Sequence, residues 1–431
     1  MGCPRVNRVA RVLVFPCGSE IGLEIHRAIS GSTFLHPVGA SSVASNHGRM
    51  FYRDYIEGVP FVNDPALVPA LNAIIERHGI DLIYPAHDDI VTALAARDDL
   101  LCGVVGSPAE TCNVCRSKRR TYDFFRALLP TPAVYAADGD YPLPVFLKPE
   151  CGQGSRGVML AHSRAQVESQ RERDPSLMLL EYLPGAEYTV DCFTDSGRKL
   201  RFAGVRERLR TVNGISVHTK PAQVPELEAM AATINDALPL RGAWFFQAKR
   251  AANGTPTLLE VAPRVSGGMG MFRAAGVNLP LLGVFDALGF PVEILRQDFE
   301  IDSDRALTAR YQLGISYTHA YIDYDDTLVM DGALNPQAIA FVAQCRAKQV
   351  KVHLLSRHAG DLESALQAWG IRGLFDAVHH LGRGERKSAF ITQADAIFID
   401  DSFTERKEVH RALGIPVFAV DAIEALMDGR A

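Results

Sequence analysis

Two sets of side chains along this chain have the types and the order that phosphate chemistry needs. The first is Lys148, the loop 152–157 with Gly154, Ser155 and Arg156, then Glu181, Glu187, Gln247, Glu260 and Arg264. Glycines in such a loop let backbone N–H groups approach phosphate oxygens, Lys148 supplies a point charge, and Arg156 supplies a planar fork of donors. Gln247 and Glu260 offer the oxygen ligands that magnesium takes, and a guanidinium at Arg264 beside metal-bound phosphates offsets charge in transfer. This set looks like a nucleoside triphosphate site. The second set is Asp323, Asp325, Thr327, Ser356, Lys387, Asp400 and Asp401, and it looks like a phosphoryl-transfer site. Carboxylates two apart past a short apolar strand suit a division of labour in which one attacks phosphorus and the other protonates the leaving group. Each residue taken singly also fits a glycine turn, a solvated charge or a calcium loop; several of them in order argue for an enzyme that consumes ATP and also removes a phosphate.

Composition sets the frame for those side chains. A length of 431 residues implies about three domains of roughly 100 to 200 residues each. With 22% charged and 47% hydrophobic residues and a formal charge of −5, neither disorder nor a nucleic-acid footprint is indicated. The apolar stretches, such as those at 12–15 and 396–399, fall far short of the roughly 20 residues that span a bilayer. The expectation is a cytoplasmic protein with neither nucleic acid nor membrane as partner. Eight cysteines, scattered among apolar neighbours, fit a reducing compartment. Cys112 and Cys115 form a CxxC without a second pair at zinc-finger spacing, so they read as one face of a helix.

The elements follow from periodicity and punctuation. A strand over 11–15, a glycine-containing turn and a helix over about 20–30 open the chain. Strands at 81–84 and 103–105 alternate with helices at 65–78 and 90–97, which implies a small parallel sheet. Gly18 stands without a GxGxxG fingerprint and reads as architecture. Beyond Pro108 come a helix at 117–128, a strand at 145–148, the glycine loop, and strands at 158–161, 178–182, 242–248 and 257–261. Gln247 and Glu260 then project from alternating strands onto one face. Arg206, Arg208, His218 and Lys220 lie on strands joined at Asn213-Gly214, facing either phosphates, a substrate carboxylate or solvent.

Over about residues 12–282 the chain resembles the ATP-grasp superfamily, in the branch of the carbamoyl-phosphate synthase large subunit and biotin carboxylase. The strings that carry the resemblance are Ser117-Lys118-Arg119-Arg120-Thr121, Phe146-Leu147-Lys148-Pro149, Leu180-Glu181-Tyr182-Leu183-Pro184-Gly185 and Leu259-Glu260-Val261-Ala262-Pro263-Arg264. The resemblance implies that Lys118 and Lys148 touch ATP phosphates, that Leu180, Glu181, Tyr182 and Leu183 line the adenine, that Glu187 holds the ribose, and that Gln247 and Glu260 bind magnesium, with manganese as an allowed substitute. It further implies an acyl phosphate made from a carboxylate and ATP, which an amine then displaces. Arg273, Gly276 and Asn278 fall where the resembling enzymes bind the acceptor. Ala262 replaces the family's usual Asn, which bears on the second metal.

The last region follows a polar stretch at 297–304 and a strand-like run at 307–313. A short apolar strand ends at Asp323, a second ends at Ser356, Lys387 precedes a helix, and a third strand ends at Asp400-Asp401. From Tyr321 onward this resembles the haloacid dehalogenase (HAD) superfamily, with its four motifs in order. The resemblance implies Asp323 as nucleophile, Asp325 as general acid and base, Ser356 and Lys387 as phosphate holders, and Asp323, Asp325, Asp400 and Asp401 around magnesium. Intervals of 33 positions from Asp323 to Ser356 and 31 from Ser356 to Lys387 leave no room for a sizeable cap, so the site is expected to be open, covered by the ligase part or serving a large substrate.

The fold expected is multidomain, α/β and α+β: a Rossmann-like pre-ATP-grasp domain over 1–110, an ATP-grasp domain over 111–300, and a capless HAD-like Rossmannoid domain over 318–431. The function expected is a carboxylate–amine ligase fused to a magnesium-dependent phosphatase. Its partners would be small-molecule carboxylate and amine substrates and a phosphorylated small molecule, with a homo-oligomer left open. A phosphatase with a non-catalytic ATP-binding scaffold, or a kinase-like ATP-grasp enzyme, are the alternatives.

Overall fold

The structure, a computed structural model, describes residues 9–152, 157–297 and 299–430. The chain divides into two compact units, Met1–Leu307 and Thr308–Ala431.

The first unit opens with β1 (Ala10–Phe15), β2 (Leu35–Ala40), β3 (Asp54–Ile56), β4 (Leu82–Pro85) and β5 (Gly103–Val104), in a parallel sheet of order β3-β2-β1-β4-β5. Over residues 12–15 β1 is apolar without alternation because both faces are covered: Val12 and Val14 enter one core, Leu13 and Phe15 the other. The helix Glu20–Ile29 starts where Ser19 accepts from the Gly22 N–H at its N-cap. A boundary near residue 110 does not separate compact units. The face of the first sheet carrying Val12 and Val14 shares its core with Met271, Phe272, Leu279 and Val284, from short helices far along the chain.

Four strands, β6 (Val134–Tyr135), β7 (Val145–Lys148), β8 (Met159–Ala161) and β9 (Met178–Glu181), make a small antiparallel sheet. The larger one contains β10 (Glu187–Thr194), β11 (Leu200–Val212), β12 (Ile215–Pro221), β13 (Gly242–Arg250), β14 (Pro256–Ala262) and β15 (Ser303–Asp304), ordered β14-β13-β10-β11-β12-β15. Helix Pro225–Ala237 buries Leu227, Met230 and Ile234 with Trp244 and Phe246 in its core. Trp244 Nε1 donates to Thr194 at 2.8 Å, which satisfies the indole in that apolar setting.

The second unit is a parallel sheet of β16 (His319–Ile322), β19 (Lys351–Ser356), β20 (Ala377–His380), β21 (Ala396–Ile399) and β22 (Val417–Phe418), ordered β20-β19-β16-β21-β22, with a hairpin of β17 (Val329–Met330) and β18 (Ala333–Leu334) after β16. Its strands again point alternate residues into two cores: Ala320, Ile322, Ile397 and Ile399 into one, Tyr321 and Phe398 into the other.

Three expectations change. The helix expected over 117–128 is Lys118–Phe125, ending earlier than expected, and a separate helix, Ala109–Arg116, precedes it; the break falls at Ser117, whose extended backbone lets its Oγ accept from the Arg120 N–H. The run 307–313 is not a strand: β15 already takes the edge beside β12, and Leu307 is fully exposed with no strand to pair against. Lys387 opens a single 3-10 turn, Lys387–Phe390, while the α-helix Phe403–Leu413 starts only after Asp401. Cys112 and Cys115 do lie on the buried face of one helix, and the seven cysteines described are free. Among the described residues no helix is long and apolar enough to cross a membrane.

Candidate active sites

A cleft of about 640 Å³ runs through the first unit, with walls from both antiparallel sheets and from the segments that follow β1 and β4. β7 and β9 contribute Phe146, Lys148, Leu180 and Glu181, followed by Tyr182 and Leu183. The large sheet contributes Glu187, Gln247 and Glu260, and the first helix of the unit contributes Glu20. Gln247 and Glu260 are directly paired across β13 and β14, so their side chains emerge on one face. Phe146, Leu180 and Leu259 give part of the cleft an apolar lining next to these oxygen donors, which suits a flat base beside a charged tail.

Lys148 is held almost out of water, its ammonium 5.6 Å above the Tyr122 ring, while Tyr122 donates its hydroxyl to the Leu259 carbonyl. Burial pushes Lys148 down to about 8, and nearby Lys118 pushes the same way against Glu260 and Glu187. A cation held at that cost is poised for an anion. Lys118 also lines the cleft and reaches the Gly152 carbonyl at 3.1 Å. Gly154, Ser155 and Arg156 lie outside the described residues.

Other expected residues are committed to partners. Glu187 pairs with Arg208 at 2.8 Å and Lys249 at 3.9 Å, and Glu181 accepts from the Ala133 N–H at 3.2 Å. Arg264 lines the cleft, but its fork grips Asp88 through Nε and Nη2 at 2.5 and 2.9 Å, with Phe245 beneath the guanidinium. Burial works against the charge on Asp88, yet Arg264 holds it below the usual carboxylate range. Arg206 forms a fully buried pair with Asp191 at 2.7 Å and bonds Ser266. It fits beneath Gly268, where a Cβ would fall 2.7 Å from the guanidinium carbon. Arg273 and Asn278 stand outside the cleft: Arg273 pairs with the buried Glu24, and Asn278 caps the helix Leu279–Ala287 and bonds the Ala28 carbonyl. Asp88, Asp191 and Glu20 escaped the sequence reading. The only signal was a carboxylate at the start of a helix for Asp88 and Glu20, and none marked Asp191.

In the second unit the strand ends converge. Asp323, Asp400 and Asp401 bring carboxylate oxygens within 4.8 Å of one another, the one such group of possible metal ligands among the described residues. Lys387 Nζ bonds Asp323 at 2.8 Å and Asp400 at 2.6 Å, all three groups buried. Burial pushes Asp323 up to about 6 against the pull of Lys387, and raises Asp400 as well. The same two carboxylates keep Lys387 charged, above its ordinary range, although burial opposes it. Lys387 offsets one charge of three. The remainder, on hard oxygen donors, fits a divalent cation such as magnesium. Ser356 ends β19, buried beside this cluster's sheet, and Thr327 Oγ1 accepts from the Asp401 N–H.

Asp325 does not join this group. The strand has ended at Ile322, so alternation no longer sets its direction, and its carboxylate accepts from His358 Nδ1 at 2.9 Å. Asp325, expected as a carboxylate ligand, is not among the grouped oxygens and instead faces His358 in a hydrogen bond at the surface.

Residues 173–304 match the family described as ATP-grasp in the biosynthetic pathway with Ter operon. No curated protein matches the chain. Among solved structures, biotin carboxylase from Campylobacter jejuni is similar at TM-score 0.54 and 16% identity, over 66% of this chain and 72% of that one. An L-amino acid ligase from Bacillus licheniformis is similar at 0.53 and 17%, over 67% and 76%. N5-carboxyaminoimidazole synthetase from Staphylococcus aureus is similar at 0.55 and 14%, over 69% and 82%. Identities this low speak to fold.

Proposed function

We propose, from the premise that the chain carries an ATP-grasp fold, that its first unit is an ADP-forming carboxylate–amine ligase and its second a cation-dependent phosphatase of the HAD type. The observation that carries the ligase reading is the pairing of Gln247 with Glu260 across two strands, in the same cleft as a buried Lys148. Oxygen donors and a desolvated cation on one cleft suit a metal-bound triphosphate. Two of the similar structures are named as a ligase and a synthetase, which agrees with bond formation driven by ATP.

In this reading the chain positions reactants and neutralises charge; it needs no side-chain nucleophile. Phe146, Leu180 and Leu259 hold the base, and Lys118 and Lys148 bind the phosphate chain. Gln247 and Glu260 would hold magnesium, which supplies charge neutralisation between phosphates when bound. Arg264, anchored by Asp88, stands as a fixed positive wall rather than as a free hand. The acid attacks the terminal phosphorus, ADP leaves, and the amine then displaces phosphate from the acyl phosphate. ADP release that needs both an acid and an amine supports the ligase; ADP release with the acid alone supports a kinase-like enzyme.

For the second unit, Asp323 is the nucleophile, and Asp323, Asp400 and Asp401 would hold the cation, which screens the incoming phosphate's charge when bound. Lys387 and Ser356 hold phosphate oxygens, and Asp325 protonates the leaving oxygen. Phosphate release from phosphoesters tests this, with Asp323→Asn as the control; equal release by that variant removes the reading. Ala262, buried on β14 where a polar metal ligand was expected, favours one alternative: an ATP-binding scaffold serving the phosphatase. Absence of any nucleotide turnover with intact phosphatase activity would select it.

A further inference from the structure

Asp325 has a partner that the four expected motifs do not include. Both of its carboxylate oxygens face the His358 Nδ1, at 2.9 and 3.1 Å. No other side chain among the described residues bonds them. Asp325 is half exposed, and the chain turns directly after it, with Asp326 at φ 53. Asp325 stands outside the group formed by Asp323, Asp400 and Asp401.

His358, by contrast, is fixed on three sides. Its ring stands edge-on to Tyr324, with centroids 5.1 Å apart. Its carbonyl accepts from His380 at 2.8 Å. Its chain neighbour Arg357 is tied to Glu405 at 2.6 Å. His358 is the less exposed and more contacted partner of the two, so it sets where the Asp325 carboxylate rests.

We propose that His358 is the positioning residue for Asp325: it holds the carboxyl group clear of the cation-binding carboxylates and ready to deliver a proton to the departing oxygen of a phosphoester. The proposal rests on the phosphatase reading of the second unit. In the step concerned, an Asp323 oxygen bonds phosphorus while the ester P–O bond breaks. The bonding pair leaves on the ester oxygen, and the Asp325 proton moves to that oxygen. His358 touches neither phosphorus nor the leaving group.

A residue that acts only through the proton donor matters in proportion to how much the leaving group needs protonation. The test compares phenyl phosphate, a poor leaving group, with p-nitrophenyl phosphate, a good one, using the full chain with magnesium. His358→Phe keeps the ring against Tyr324 and removes the N–H. It should lower kcat on phenyl phosphate about ten- to a hundredfold, and on p-nitrophenyl phosphate by less than about threefold, with KM unchanged. His358→Asn, which returns an N–H near the Nδ1 position, should recover most of the loss. Equal losses on the two esters, a change in KM alone, or no loss at all overturns the proposal. If the unaltered chain releases no more phosphate than Asp323→Asn from either ester, the phosphatase reading fails and takes this proposal with it. That outcome is told apart because it shows before any His358 variant is made.

Discussion

Lys387 reaches Asp323 and Asp400 at once, 2.8 and 2.6 Å from their oxygens, although 64 and 13 positions of chain separate them. The three buried groups make a charged triangle at the ends of two neighbouring strands, and its balance is sensitive to any change in it.

Replacing Lys387 by Met leaves two buried carboxylates facing each other. Breaking a buried pair by removing one partner costs about 3–5 kcal/mol. Urea unfolding of the variant should show that loss in the transition of the second unit, and magnesium should recover part of it. A loss that magnesium leaves untouched argues against a cation between Asp323 and Asp400.

Nucleotide affinity should depend on pH through Lys148. The free side chain is pushed down to about 8 by burial, whereas bound phosphates would keep it charged. Below that value Lys148 is already protonated and affinity is flat. Above it, binding must take up a proton, so affinity falls by about tenfold per pH unit. Titration calorimetry from pH 7 to 9 would read the slope; the same slope in Lys148→Met would assign it elsewhere.

Glu260→Gln keeps the shape of the cross-strand pair with Gln247 but removes its only negative charge. ADP formation should fall at least about a hundredfold and its magnesium requirement should rise. A coupled ADP assay over a range of magnesium concentrations measures both. Unchanged turnover would mean that the cation is held by other groups.

The second unit should lose stability in acid. His353 stacks on Tyr321 at 4.4 Å and lies between His319 and His379, with Lys351 and Asp376 nearby and both ring nitrogens without partners. Burial, with the two histidines, holds it below its ordinary value. The stabilisation from the neutral ring is complete above the unfolded value of about 6.5 and is lost as pH falls through the folded one. His353→Phe should flatten the fall in melting temperature between pH 7 and 5. An identical pH profile in the variant would place the sensitivity on other groups.

Much of both candidate sites was legible because their residues sit where a strand stops. Lys148, Ser356 and Asp400 each end or follow a short apolar run, and an apolar run closed by a polar or charged residue marks a strand end, whereas Glu260 was legible from its place inside β14. Residues whose role depends on a distant partner left no such mark. Arg264 looked free in sequence and is held by Asp88, 176 positions away. The Leu307–Leu313 run has the composition of a strand but no neighbouring edge to bond, and hydrogen bonding to a neighbour is what makes a strand.

The sequence by itself determined the small parallel sheet that opens the chain, many of the later strands and the side chains available to phosphate, because periodicity and turn chemistry act over a few residues. Only the tertiary structure decided which charges are already spent. It turned Asp325 onto His358, closed Arg206 on Asp191, and joined the expected first two domains through one shared core. Electrostatic and packing partners are chosen by distance in space, and in a folded chain that distance bears no fixed relation to distance along it.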